Sequence, residues 1–189
     1  MARGATVWLT GLPAAGKTTT GDAVAEGLEA RGYVTYRLDG DVLRRTLSSD
    51  LGFDAASRQE NVRRAASVAR ILAEAGVLVI ASFISPYRSA RDQARELHAS
   101  ADLPFVEVYL DTPLAECERR DPRGLYARAR RGEITGFTGV DDPYEPPQAP
   151  EVTLHTEVQS IAEAAGAVLE AVLALDLAQA LRRPATRLR

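Results

Sequence analysis

The sequence predicts an α/β fold of three layers, a central mostly parallel sheet flanked by helices, with an arginine-rich lid. Short apolar runs alternate along the chain with amphipathic stretches of helical period, the pattern of successive strand–helix units. The run Val77 to Ser82 is apolar almost throughout, as a strand buried on both faces must be. The chain also opens on a short apolar stretch, Val7-Trp8-Leu9, that leads into Gly11-Leu12-Pro13-Ala14-Ala15-Gly16-Lys17-Thr18.

That octapeptide satisfies G-x-x-x-x-G-K-[ST] at every fixed position and reads as a Walker A loop, which places the chain among P-loop NTPase folds. The physical logic is consistent along the segment. A buried strand delivers the loop, glycines at its ends let the backbone turn, and the N–H groups converge on phosphate oxygens. A helix from about Lys17, with Ala23, Val24 and Leu28 facing inward, then aims its positive end at the same anion. Lys17 is expected to reach the β- and γ-phosphates of a nucleoside triphosphate, and the Thr18 hydroxyl to ligate Mg²⁺.

Size and charge narrow the function classes. At 189 residues the chain is expected to form one domain over residues 1–181, with a lid at about 119–140 and a disordered basic tail at 182–189. A formal charge of -3 argues against a dedicated nucleic-acid binder. A single cysteine, Cys117, excludes an intrachain disulfide framework and reads as a buried apolar residue. The N-terminus shows no signal-peptide core, and the longest apolar run is too short to cross a bilayer, so a cytoplasmic protein without a membrane partner is expected.

The remaining elements follow in order. Gly32 ends the first helix, and Tyr33 to Leu38 reads as a second strand carrying Asp39-Gly40-Asp41 at its C-terminal end. In parallel sheets that edge lines the ligand crevice, so both carboxylates should face the phosphates. The competing reading is an Asx turn and a helix N-cap at Asp41, with one carboxylate capping and the other acting on substrate. A long helix over Ser57 to Ala75 starts with a capping-box pattern, Ser57 to Glu60, and sets Arg58 and Asn61 on one face. After the strand ending at Ser82, Phe83 to Arg88 returns to the ligand edge, and Ser85 before Pro86 reads on its own as a turn residue.

Helix Ser89 to Ala99, strand Phe105 to Leu110 and a helix from Pro113 to Arg120 come next. Arg119 to Glu133 is dense in arginine between possible hinges at Gly124 and Gly132; it suits either a solvated helix or a mobile lid. Phe137 lies between glycines as a buried anchor or a base-stacking ring. Asp142 to Pro150 is Pro-rich and expected to be an extended loop, Val152 to Leu154 a last strand, and Ser160 to Leu181 a closing helix. His98 and His155 are expected to be structural or surface residues.

Taken together, D-G-D-x-x-R from Asp39, R-x-E-N-x-R-R from Arg58, F-I-S-P-Y-R from Phe83 and G-F-T-G-x-D-x-P-Y-E from Gly136 resemble the adenylylsulfate (APS) kinase family, in that family's order, over about Val7 to Leu154. The resemblance implies phosphoryl transfer from MgATP to the 3′-hydroxyl of adenosine 5′-phosphosulfate, giving 3′-phosphoadenylyl sulfate. It implies that Gly11, Leu12, Pro13, Ala14, Ala15, Gly16, Lys17, Thr18 and Thr19 hold ATP, with Arg120 packed on its adenine. Asp39 and Asp41 become the catalytic carboxylates, Asp39 also helping Thr18 with Mg²⁺. Arg44, Arg58 and Asn61 would grip the phosphosulfate and sugar, Phe53 and Phe137 would sandwich the acceptor adenine, and Ile84, Ser85, Arg123 and Leu125 would complete the acceptor site. Ser85 also matches the family's phosphoenzyme serine. A homodimer stays open as its assembly.

Four positions depart from the family pattern: Pro13 and Ala14 stand for Ser-Gly in the loop, Ser57 for an aspartate, and Arg123 for a lid lysine. The alternatives are a related P-loop kinase acting on another small alcohol and a nucleotide-binding regulator without turnover.

Overall fold

The computed structural model describes residues 4–177. Five strands, β1 (Ala5–Gly11), β2 (Thr35–Asp39), β3 (Leu78–Ser82), β4 (Phe105–Leu110) and β5 (Val152–Leu154), form one sheet in the order β2-β3-β1-β4-β5. All four pairings are parallel. The register aligns the strand ends: Ser82 stands opposite both Leu9 and Asp39, and Leu110 opposite Gly11 and Leu154. Everything that leaves the sheet at that edge therefore enters one crevice.

The strands alternate sides, so the sheet carries two cores. Val7 and Leu9 of β1 face α1 (Lys17–Glu29) and α7 (Ile161–Val172), packing with Val24, Leu28 and Val168. Trp8 faces the other way, toward α3 (Ala55–Glu74) and α4 (Arg88–Ala99), among Val62, Ala65, Ala69 and Ala94. The alanine-rich face of α3 lets that helix lie close to the sheet, and Trp8 fills the space by stacking on Phe83 at 5.0 Å and Phe105 at 5.9 Å. Truncating so large a buried ring would cost roughly 3–5 kcal/mol. Cys117 is buried and free, as expected. His98 is buried too, its ring nitrogens paired with Thr6 Oγ1 at 2.9 Å and the Ala94 carbonyl at 2.7 Å, and burial lowers its pKa.

Several boundaries differ from the sequence reading. The long helix begins at Ala55, because Asp54 caps it by accepting from Ser57 N at 3.0 Å. The Ser57–Glu60 capping box does not form; Glu60 instead pairs with Arg63 and Arg64. Aspartate caps a helix as well as serine does, and two arginines outcompete one backbone amide for the glutamate. The second strand starts at Thr35, two residues late, because Tyr33 N is still bonded to the Leu28 carbonyl at the end of α1. The short helix α2 (Gly40–Arg45) is capped by Asp39, not Asp41. Helix α5 (Leu114–Arg120) follows Pro113 rather than starting on it, and α6 (Leu125–Arg130) lies between Gly124 and Gly132, both in left-handed conformation. The closing helix is α-helical only to Val172 and continues as a π-helical turn, Leu173–Leu177; a capping box at Ser160 and Glu163 starts it. The tail expected at 182–189, and the predicted helix beyond 177, lie outside the described residues. No helix among the described residues is long and apolar enough to cross a membrane.

Candidate active site

The loop after β1 is held by its surroundings as much as by its glycines. A side chain at Gly11 would stand 2.8 Å from the Leu110 carbonyl oxygen, so only glycine fits there. Gly16, at φ 100, turns the chain into α1, and Ala14 adopts φ 60, the left-handed region that glycine occupies without strain. From outside the loop, Thr156 donates to the Ala15 carbonyl at 2.9 Å and lies 2.7 Å from the Thr112 hydroxyl. Tyr126 donates to the Pro13 carbonyl at 3.0 Å. Thr112, Tyr126 and Thr156 were missed in the sequence, although Thr112 and Thr156 each follow a strand end at the ligand edge.

Lys17 folds back over the loop, donating to the carbonyls of Gly11 at 2.9 Å and Leu12 at 2.7 Å. Burial lowers its pKa to about 8, against smaller opposing effects of Cys117, Asp39 and Asp41. Thr18 donates to Asp39 Oδ2 at 3.1 Å, while Oδ1 of the same carboxylate accepts from Asp41 N at 2.8 Å. The two predicted carboxylates thus take different positions. Asp39 faces the phosphate loop, and Asp41 pairs with Arg123 of the lid at 2.5 Å.

Across the same crevice, Arg44 lies over the Phe53 ring, 4.3 Å from its centroid, and donates to the Gly52 carbonyl at 2.9 Å. Burial and the nearby Arg58 charge lower the Arg44 pKa. Phe53 is otherwise open, at 63% exposure. Arg58 is 8% exposed and engaged with the backbone, donating to Phe53 O at 2.7 Å and Gly136 O at 2.5 Å. It joins the two loops that carry Phe53 and Phe137. Phe137 is seated edge-on against Tyr126, centroids 5.0 Å apart. Asn61 and Thr138 are buried beside them, with Asn61 Oδ1 and Thr138 Oγ1 lacking a protein partner among the described residues. Orphaned buried atoms are rare in folded proteins; a third among the described residues, Ser48 Oγ, lies outside the cleft that Asn61 and Thr138 line.

One cleft of about 860 Å³ is lined by Pro13, Ala14, Gly16 to Thr19, Asp39 to Asp41, Arg44, Phe53, Arg58, Asn61, Ile84, Ser85, Arg120, Arg123, Leu125 and Phe137. It therefore gathers most of the predicted site residues and lies near the top of the roughly 300–1,000 Å³ range of small-molecule sites. Gly11, Leu12 and Ala15 stand behind its wall. Arg120 is fixed in place by Glu116 at 2.8 Å and the Thr156 carbonyl at 2.8 Å. Ser85 is 3% exposed and has φ 40; its hydroxyl accepts from Trp8 Nε1 at 3.1 Å and donates to Thr10 Oγ1 at 3.0 Å.

Comparison with known proteins gives the family of the chain. Residues 3–155 match the family model described as adenylylsulphate kinase. The chain is 49% identical over 168 residues to an adenylyl-sulfate kinase from Halothermothrix orenii, covering 89% of each chain. It is 48% identical to that of Saccharomyces cerevisiae, covering 88% of this chain and 83% of the other. Among solved structures, the Mycobacterium tuberculosis APS kinase CysC in complex with AMPPNP and APS superposes with a TM-score of 0.89 at 48% identity, covering 92% of this chain and 99% of the other.

Proposed function

The chain belongs to the adenylylsulphate kinase family, and from that premise we propose that its cleft transfers the γ-phosphoryl group of ATP to the 3′-hydroxyl of adenosine 5′-phosphosulfate, giving 3′-phosphoadenylyl sulfate. The observation that carries the reading is the cleft itself. It has a phosphate loop with Lys17 at one end, the exposed Phe53 and the half-buried Phe137 at the other, and the Thr18–Asp39 pair between them. A single-substrate hydrolase has no use for the second, aromatic half. The solved relative named for its AMPPNP and APS complex supports the same pair of ligands.

Phosphoryl transfer asks for positioning and charge neutralisation rather than covalent chemistry by the protein. The backbone N–H groups of the loop and the N-terminus of α1 bind the donor phosphates, and Lys17 swings from the two loop carbonyls to the γ-phosphate. Arg120, held by Glu116 and Thr156, offers its flat guanidinium to the donor base. Thr18 and Asp39 present hard oxygens one hydrogen bond apart, a donor pair that fits Mg²⁺ and would hold it beside the phosphate loop. Bound there, the ion would supply charge neutralisation for the transferred phosphate. Asp39 accepts the hydrogen bond of the attacking 3′-hydroxyl, which raises the nucleophilicity of a weakly acidic alcohol. Asn61 and Thr138 take up polar atoms of the acceptor, which satisfies their buried oxygens. Arg123 leaves Asp41 to approach the acceptor as the lid, residues 119–140, moves over the cleft.

Direct transfer is favoured over a phosphoserine step, because the Ser85 hydroxyl is committed to Trp8 and Thr10. The reading is tested by ADP release that requires both substrates. Lys17→Ala is expected to abolish it, and full activity of that variant would refute the assignment.

A further inference from the structure

Behind the cleft wall, the Pro-rich segment 142–150 is strapped onto the loop that carries Ile84 and Ser85. Arg91 of α4 is 1% exposed and its guanidinium is shared three ways: with Glu107 at 2.8 Å, with the Ser85 carbonyl at 2.6 Å and with the Glu145 carbonyl at 2.6 Å. Tyr144, next along the strap, lies 2.9 Å from Thr10 Oγ1, and Thr10 donates to the Ile84 carbonyl at 2.8 Å. The Thr10 hydroxyl has one proton, which Ile84 takes, so Tyr144 is the donor to Thr10. Thr10, Arg91 and Tyr144 are absent from the residues that line the cleft.

We propose that Arg91 and Tyr144 are positioning residues for the acceptor side of the reaction. Together they fix the Ile84–Ser85 peptide so that the Ser85 N–H is presented to the anionic end of the acceptor. The geometry carries the argument. The peptide is trans, so its N–H points opposite to its carbonyl. The Ile84 carbonyl is drawn inward to Thr10, which turns the Ser85 N–H outward toward the cleft that Ser85 lines. Ser85 holds φ 40, a conformation a non-glycine residue keeps only when its surroundings hold it there, and Arg91 anchors the carbonyl of that same residue. Burial pushes the Tyr144 pKa up to about 12, so its hydroxyl remains a donor throughout the working range. Because the ammonium of lysine cannot hold a carboxylate and two carbonyls in one plane, an arginine is required at position 91.

The inference rests on the acceptor assignment above, and its test separates the two. Steady-state KM values for APS and for MgATP are measured in the wild type, Tyr144→Phe, Thr10→Val, the double variant and Arg91→Lys. Tyr144→Phe keeps the ring stacked on Tyr109, at 5.9 Å, and removes one hydroxyl. Loss of one positioning hydrogen bond is expected to raise the APS KM about three- to tenfold while the MgATP KM stays within about twofold. If Tyr144 works through Thr10, the double variant is expected to match Thr10→Val alone rather than the product of the two effects. Arg91→Lys is expected to show the same split. Equal shifts in both KM values, unchanged APS KM in folded variants, or additive effects in the double variant would overturn the inference and leave the kinase reading standing. A wild type with no APS-dependent turnover would overturn both.

Discussion

The Thr18 hydroxyl donates to Asp39 Oδ2 across 3.1 Å, joining the first turn of α1 to the end of β2. This contact spans the sheet edge where donor and acceptor chemistry must meet, and the other oxygen of the same carboxylate is pinned by Asp41 N at 2.8 Å. A carboxylate held at both oxygens is preorganised for one position.

Asp39→Asn keeps the shape of that group and removes its charge. A fall in kcat of about 10²–10⁴-fold is expected, the usual span for losing a positioned general base. Asp41→Asn, which removes the exposed pairing with Arg123 and a small charge effect on Lys17, is expected to cost less than about tenfold. Steady-state ADP release measures both, and equal losses would contradict the division of roles.

Lys17 sets the pH dependence of donor binding. Its pKa is lowered to about 8 by burial, and nearby phosphates stabilise the protonated form and raise it again. Between the free and bound values, nucleotide binding therefore takes up protons, and by linkage MgATP affinity falls as pH rises above about 8. Calorimetric titration at pH 8.5 in two buffers of different ionisation enthalpy is expected to show net proton uptake in the wild type and its loss in Lys17→Met.

Arg58 joins the two aromatic loops through the carbonyls of Phe53 and Gly136. Arg58→Ala leaves both carbonyls without this donor and is expected to cost about 1–3 kcal/mol, a fall in Tm of roughly 3–10 °C at this chain length. The APS KM is expected to rise with it, while MgATP binding is retained. A thermal melt and paired KM measurements check this.

Ala14 sits at φ 60, where its β-carbon is strained. Ala14→Gly relieves a strain of about 1–2 kcal/mol and returns part of it as unfolded-chain entropy. The variant is expected to be neutral to mildly stabilising, with the MgATP KM within about threefold. Marked destabilisation in a urea titration would contradict the strained reading.

The sequence made the local features legible and left the long-range ones hidden. The phosphate loop, the apolar strands and the D-G-D turn are each written within a few neighbouring residues, and their periods and fixed spacings report on themselves. The capping-box spacing from Ser57 to Glu60 points to the wrong start for α3, because Asp54 caps the helix and Glu60 is taken by Arg63 and Arg64. Nothing in the residues next to Arg91 signals its burial, which comes from the packing of α4 against β4 and the strap. Thr112 and Thr156 meet at Ala15 although 44 residues separate them, a contact no short pattern encodes. Ser85 reads locally as a turn residue before Pro86, and the direction of its hydroxyl depends on Trp8, 77 positions away.

The central claim is most directly tested by incubating the protein with MgATP, with and without APS, and following the nucleotides by phosphorus NMR. The account predicts ADP together with a new 3′-phosphomonoester on APS, formed only when both substrates are present. ATP binding without any APS-dependent product, or phosphorylation at another position, would contradict it.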